Sequence, residues 1–205
     1  MLHQARRRAG WFARTRYAGG DLEHLPFIDA AFDLVVSNLT LQWCNLQPAF
    51  GEVLRVLRPG GVFLFTSFGP DTLGELKQAW RSADSNPHVH DFMDMHDIGD
   101  TLMRCGFVDP VLDAERITLT YAGVIDVMRD LKRLGAHNVA LTRARGLTGK
   151  KRFARFRAAY EVFANAGRIP ATYEVVYGHA WAPRAPGVRD DLVSIPVSAI
   201  SRARR

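Results

Sequence analysis

FDLVVSNLTLQW, residues 32–43, opens on a continuous apolar run rich in valine. Such a run fits a strand covered on both faces, as strands of parallel sheets are. Downstream, Phe50, Val53, Leu54 and Leu57 fall on one helical face while Glu52, Arg55 and Arg58 lie elsewhere. RPGG (58–61) should end that helix, and GVFLFTSF (61–68) should start a second buried strand. Strand, helix, strand is a βαβ unit, so the sheet is parallel here and its crossover is expected to be right-handed.

Working outward, a short strand is expected at residues 16–19, ahead of the turn-like GDLEHLPF (20–27). DTLGELKQAWRSAD (71–84) reads as a helix with Asp71 as N-cap. The loop SNPHVHDF (85–92) leads to a helix over 95–105, with Asp94 and Asp97 at N-cap and N3 in the manner of a capping box and Gly106 closing it. Residues 111–120 alternate as a strand. YAGVIDVMRDLKRLG (121–135) is amphipathic, with Ile125, Met128 and Leu131 inward and Arg129, Lys132 and Arg133 outward. A basic helix over about 149–166 precedes a last strand, TYEVVYGHAW (172–181). The arginine-rich stretch 184–205 reads as a basic, mobile tail.

The 205 residues suit one domain, and 47% hydrophobic with 23% charged residues is ordinary for a soluble globular protein. The longest apolar runs are far too short to cross a membrane. A net charge of +6 favours a negatively charged partner. Cys44 and Cys105 form no CxxC, which fits a reduced, intracellular setting. MLHQARRRAG (1–10) is no signal peptide, because three consecutive arginines interrupt it before an apolar stretch can form.

Three pieces in order, GGDLEHLPF (19–27), FDLVVSNLTLQW (32–43) and LRPGGVFLF (57–65), resemble the class I S-adenosylmethionine-dependent methyltransferases. There they are the third strand with its acidic turn, the fourth strand with its active-site loop, and the turn into the fifth strand. The resemblance implies a Rossmann-like α/β fold, with ligands beyond the carboxyl ends of the strands. It makes Asp21 and the Leu22 amide the pair that reads the adenine ring. Taken without the resemblance, Asp21 is a turn aspartate bonding its own backbone. Asn38, with Leu39 packing nearby, would hold the amino-acid part of the cofactor; otherwise it is a polar residue satisfying a strand end.

SNLTLQWC (37–44), FGPDTLGELKQAW (68–80), MRDLKRLGAHN (128–138) and PATYEVVYG (170–178) resemble, more narrowly, the malonyl-acyl-carrier-protein O-methyltransferases of biotin synthesis. This implies a cytoplasmic enzyme, S-adenosylmethionine as cofactor, malonyl-acyl carrier protein as partner, and methyl transfer to a free carboxylate. A carboxylate is already nucleophilic at neutral pH, so positioning and water exclusion should suffice and no catalytic side chain is named. Arg129 is the candidate to orient that carboxylate and His90, in the lid loop, a candidate acceptor contact. Lys132, with Arg129, Arg133, Lys150 and Lys151, could meet the acidic helix of the carrier protein. A related family, the arginine-hydroxylating assembly factors of respiratory complex I, shares much of the pattern, and a non-catalytic methyltransferase-like fragment is the other alternative.

Members of the resembled family begin with a strand ending in D-x-G-x-G, a helix, and a second strand ending in an acid. MLHQARRRAG matches the helix after those, so Met1 is expected to be an internal methionine of a longer protein. Residues 1–183 would then form a partial methyltransferase domain whose sheet lacks its first two strands and first helix, with lid segments at about 84–95 and 121–166. FDLVVSNL (32–39) would be left as an apolar edge, which is an aggregation hazard.

Two other patterns resolve to ordinary roles. His88, His90, Asp91, Asp94 and His96 cluster in HVHDFMDMHD (88–97) but lack a recognised ligand spacing, so no metal is expected. In TGKKRFARFRAAYEVF (148–163), Phe153, Phe156 and Tyr160 recur at three and four residues, which is the spacing of one buried face and not of a nucleic-acid platform.

Overall fold

The computed structural model describes residues 15–86, 88–133 and 149–184. The expected helix at the start of the chain, the part of the lid over 134–148 and the tail beyond 184 lie outside these residues. In chain order the elements are β1 (Phe32–Asn38), α1 (Leu46–Val56), β2 (Leu57–Phe68), α2 (Gly74–Arg81), α3 (Met95–Cys105), β3 (Val108–Tyr121), α4 (Val124–Arg133), α5 (Lys150–Glu161) and β4 (Ile169–Trp181), with a short 3-10 turn at Leu41–Trp43.

The four strands form one sheet in the order β1-β2-β4-β3. β1 and β2 are parallel, as the βαβ reading requires, while β4 runs antiparallel to both of its neighbours. RPGG does not lie before the second strand but bulges within it. Between the Phe32–Leu57 and Leu34–Val62 pairs, β2 carries extra residues that β1 lacks. Gly60 takes a left-handed φ of +77° there, and a Cβ on Gly61 would stand 2.9 Å from the Arg58 carbonyl oxygen. The bulge is tied to the end of β4, with the Gly60 N–H donating to the Ala182 carbonyl (3.1 Å) and the Ala182 N–H to that of Gly61 (2.8 Å).

Other boundaries also move. No strand forms at residues 16–19; the turn that follows folds on itself through an isolated Asp21–His24 bridge. Asp71 is not an N-cap, since α2 starts at Gly74 after Leu73, whose φ is +57°. The Leu73 N–H is held by the Thr172 carbonyl (2.6 Å), which pins residues 70–73 as a turn against β4, and Asp71 instead pairs with Arg116. Asp94 does cap α3, accepting the His96 N–H at 2.8 Å. Gly106 (φ +98°) closes it: its N–H reaches Met103 O (3.0 Å) and that of Phe107 reaches Leu102 O (3.1 Å), a Schellman pair. On α4 the buried face is Val124, Val127 and Leu131, with Met128 half-buried, so Ile125 points outward at 46% exposure, contrary to the expected pattern. α5 stops at Glu161, ahead of an Asn165–Arg168 turn that feeds β4.

Two cores lie on opposite faces of the sheet. Phe63, Phe65, Val176 and Ala180 pack with Phe50 and Val53 of α1 and Ile98 and Leu102 of α3. Phe68, Ala171 and Tyr173 have the opposite strand parity and pack with Trp80 of α2, Val127 of α4 and Phe156 and Tyr160 of α5. The aromatics of the basic helix α5 thus belong to a core. This second core covers only part of its face. Leu34 (50% exposed), Val36 (64%), Leu64 and Val111 lie uncovered on the rest, so β1, the edge strand among the described residues, is half-buried on one face and open on the other.

Candidate functional site

The carboxyl end of β1 is built by hydrogen bonds to β2. The Thr66 hydroxyl donates to Asn38 Oδ1 (2.6 Å) and accepts from the Leu39 N–H (3.0 Å), which also reaches the Thr66 carbonyl (3.1 Å). Leu39 is held at φ +49°, a conformation that costs a non-glycine residue energy and persists where its surroundings enforce it. The chain therefore turns sharply off the strand. Thr40 Oγ1 donates back to the Asn38 carbonyl (3.2 Å) and Gln42 Nε2 to that of Leu39 (2.7 Å). This fixes the Gln42 amide with Oε1 buried and without a hydrogen-bond donor among the described residues. Trp43 follows at 45% exposure.

The acidic turn packs beside this loop. Asp21 Oδ1 accepts the Glu23 N–H (3.0 Å), the bond of a turn aspartate, and its side chain stays exposed; Leu22 packs against the first core. Glu23 Oε1 accepts the Asn45 N–H (2.8 Å) and Glu52 Oε2 that of Leu25 (2.7 Å), tying the turn to α1. Arg55 completes the clasp, bonding Glu52, Asp29 and the carbonyls of Leu25 and Phe27. The Arg55 guanidinium holds the Glu52 carboxyl down at about 2. Burial, then Glu23 and Asp21, push the Cys44 thiol up, which keeps it protonated and unfit as a nucleophile.

The loop after α2 reaches the same end. His90 lies 6.0 Å from the Trp43 ring and 5.7 Å from Phe92, which in turn meets Phe68 at the end of β2 (5.6 Å). His90 thus joins the site. Arg129 and Lys132 do not: both are exposed on α4, and Arg129 is paired with Asp126 at 2.6 Å. Among the described residues no group of three or more His, Cys, Asp or Glu could hold a metal. His88 bonds Asp84 (2.8 Å) and His96 bonds Asp94 (2.7 Å). No described helix is long and apolar enough to cross a membrane.

Thr66 and Lys77 are the residues that sequence reasoning passed over. Thr66 is one polar residue in an apolar strand, and only the register with Asn38 discloses its role. Lys77 had a signal, because 73, 76, 77 and 80 share a helical face and its neighbours there, Leu73, Leu76 and Trp80, are core residues.

An orphaned buried acceptor at Gln42, a strained backbone at Leu39 and the amide of Asn38 converge beyond the carboxyl end of a parallel strand, where open α/β sheets bind ligands. Residues 1–65 match a family model described as a methyltransferase domain. The malonyl-[acyl-carrier protein] O-methyltransferase of Halorhodospira halophila is 50% identical over 211 residues, covering 100% of this chain and 72% of that protein. The chain belongs to the malonyl-[acyl-carrier protein] O-methyltransferase family. Two further malonyl-[acyl-carrier protein] O-methyltransferases agree. That of Nitrosospira multiformis is 56% identical over 83% of this chain and 56% of its own length, and that of Methylovorus sp. 51% identical over 94% and 65%. The chain therefore spans little more than half to about seven-tenths of the malonyl-[acyl-carrier protein] O-methyltransferases it matches.

Solved structures share the fold. The YcgJ protein of Bacillus subtilis superposes with a TM-score of 0.55 at 15% identity, over 83% of this chain and 72% of that one. The [4+2]-cyclase SpnF does so with a TM-score of 0.50 at 23% identity, over 90% and 62%. At such identities the likeness speaks for the Rossmann-like fold alone, which hosts many chemistries.

Proposed function

We propose that this chain serves methyl transfer from S-adenosylmethionine to the free carboxylate of malonyl-acyl carrier protein, in the cytoplasmic synthesis of biotin precursors. The observation that carries this reading is 50% identity over the full chain to a protein of that name. Asn38, with Leu39 packing nearby, holds the amino-acid end of the cofactor, and Asp21 with the Leu22 amide reads its adenine. Bound there, S-adenosylmethionine supplies an electrophilic sulfonium methyl group. The remaining work falls to the protein as positioning. An acceptor carboxylate is ionised at neutral pH and needs no base, so the lid residues His90 and Phe92 exclude water and fix its approach. The basic face of α4, with Arg129 and Lys132, meets the acidic carrier protein.

Calorimetric titration of S-adenosylhomocysteine into this chain tests the cofactor half. Micromolar binding that Asp21→Ala abolishes is the expected result, and methyl-ester formation on malonyl-acyl carrier protein is the assay that follows. A folded chain that binds no S-adenosylhomocysteine would overturn the reading for this polypeptide.

A further inference from the structure

Between α2 and the loop that follows it lies a cavity of about 300 Å³, lined by Lys77, Trp80, Asp84, His88, Val89 and Asp91 among others. That is the small end of the range for ligand sites. Its walls are ordered by stacking. The His88 ring lies on Trp80 at 3.8 Å with an interplanar angle of 11°, and Trp80 lies on Phe156 at 4.0 Å and 12°. Asp84 Oδ1 takes the His88 ring (2.8 Å) and the Asn86 N–H (2.9 Å), while Oδ2, buried and without a hydrogen bond among the described residues, faces the Arg152 guanidinium at 3.2 Å.

Lys77 is not so committed. Its side chain is only 16% exposed, yet among the described residues its ammonium has one hydrogen-bond acceptor, the Pro70 carbonyl at 3.2 Å. The nearest carboxylate, Asp91, stands off at 3.8 Å and is itself 98% exposed. An ammonium carries three donors, and burying it without matching acceptors is costly. Burial accordingly lowers its pKa, against the pull of Asp91. The Phe92 ring, 5.3 Å from Nζ, adds a cation–π contact.

The position ties this cation to the site. Phe92 separates Lys77 from Phe68 at the end of β2 and from His90, which reaches Trp43 after β1. A small anion beside Lys77 therefore lies one aromatic ring away from the strand ends where the candidate cofactor residues converge.

We propose that Lys77 recognises the free carboxylate of the acceptor, and that Asp91, in the lid loop, is an internal stand-in which that carboxylate displaces. The cavity's apolar walls, Trp80 and Val89, take the methylene and thioester portion, and the ammonium takes the charge. This deepens the proposed function and rests on it: the substrate class selected is an acyl thioester with a terminal carboxylate, and an acyl chain of similar length without one is rejected.

The test compares binding of malonyl- and butyryl-acyl carrier protein to the full chain by fluorescence anisotropy of labelled carrier protein. The wild type should prefer malonyl by about tenfold or more, the scale of one hydrogen-bonded ion pair. Lys77→Met should bind both alike and Lys77→Arg should restore part of the preference. Asp91→Asn, at a solvent-facing position that folding does not require, should tighten malonyl binding several-fold and leave butyryl binding unchanged. A folded Lys77→Met that keeps the preference, or an Asp91→Asn without effect, would overturn the assignment while the proposed function stands. Equal binding of the two carrier proteins by the wild type would instead overturn the proposed function, and this assignment with it.

Discussion

At the residue scale, single atoms fix the candidate site. The Thr66 hydroxyl serves Asn38 and Leu39 at once, so Thr66→Val removes a donor and an acceptor together. It should weaken S-adenosylhomocysteine binding about tenfold by calorimetry, while Thr66→Ser, which keeps the hydroxyl, should bind within a factor of about two of wild type. Packing is as exacting. A Cβ on Gly178 would meet the Phe65 ring at 2.2 Å, and that ring is buried in the first core. Gly178→Ala should cost about 1–3 kcal/mol in urea unfolding. Asn38 as a polar strand end and Asp21 as a turn aspartate were legible in the sequence, while their cofactor roles rest on the family resemblance. Thr66 was not legible, since its meaning comes from a partner 28 residues away that only strand pairing brings near.

At the scale of elements, local periodicity located most helices and strands but misjudged where tertiary bonds take over. The start of α2 is set by β4, through Leu73 and Thr172, and no N-cap rule contains that information. RPGG reads as a terminator, yet Ala182 draws it into a strand bulge. The clasp of Glu52 and Arg55 on residues 25–29 has a pH signature. Glu52 is held at about 2, well below an ordinary glutamate, so its pairing stabilises the folded chain fully above the unfolded value of about 4.3. That contribution is lost as pH falls from there toward about 2. Urea midpoints measured across this window should fall with acid, and Glu52→Gln should flatten part of the slope.

At the scale of the whole molecule, sheet order decides what is exposed. The parallel β1–β2 unit and the apolar edge at 32–39 were both readable, the first from periodicity and the second from the family resemblance. The uncovered face was not, because alternation along one strand cannot tell which helices lie over it. Leu34, Val36, Leu64 and Val111 make that face adhesive. Val36→Lys should reduce self-association in sedimentation or light scattering and shift folding stability by no more than about 0.5 kcal/mol. The net charge of +6 belongs to the same scale. If it steers an acidic carrier protein, association rates should fall as salt is raised from about 50 to 500 mM, with dissociation little changed.

The order β1-β2-β4-β3 also has a meaning in time. The strand that pairs with both β2 and β3 is the last of the four to be made, so a nascent chain holds β2 and β3 apart as two incomplete edges until residue 181 has left the ribosome. Both halves wait for one late strand, and a ribosome stalled before it would present apolar, unpaired β-structure to the chaperones around the exit tunnel.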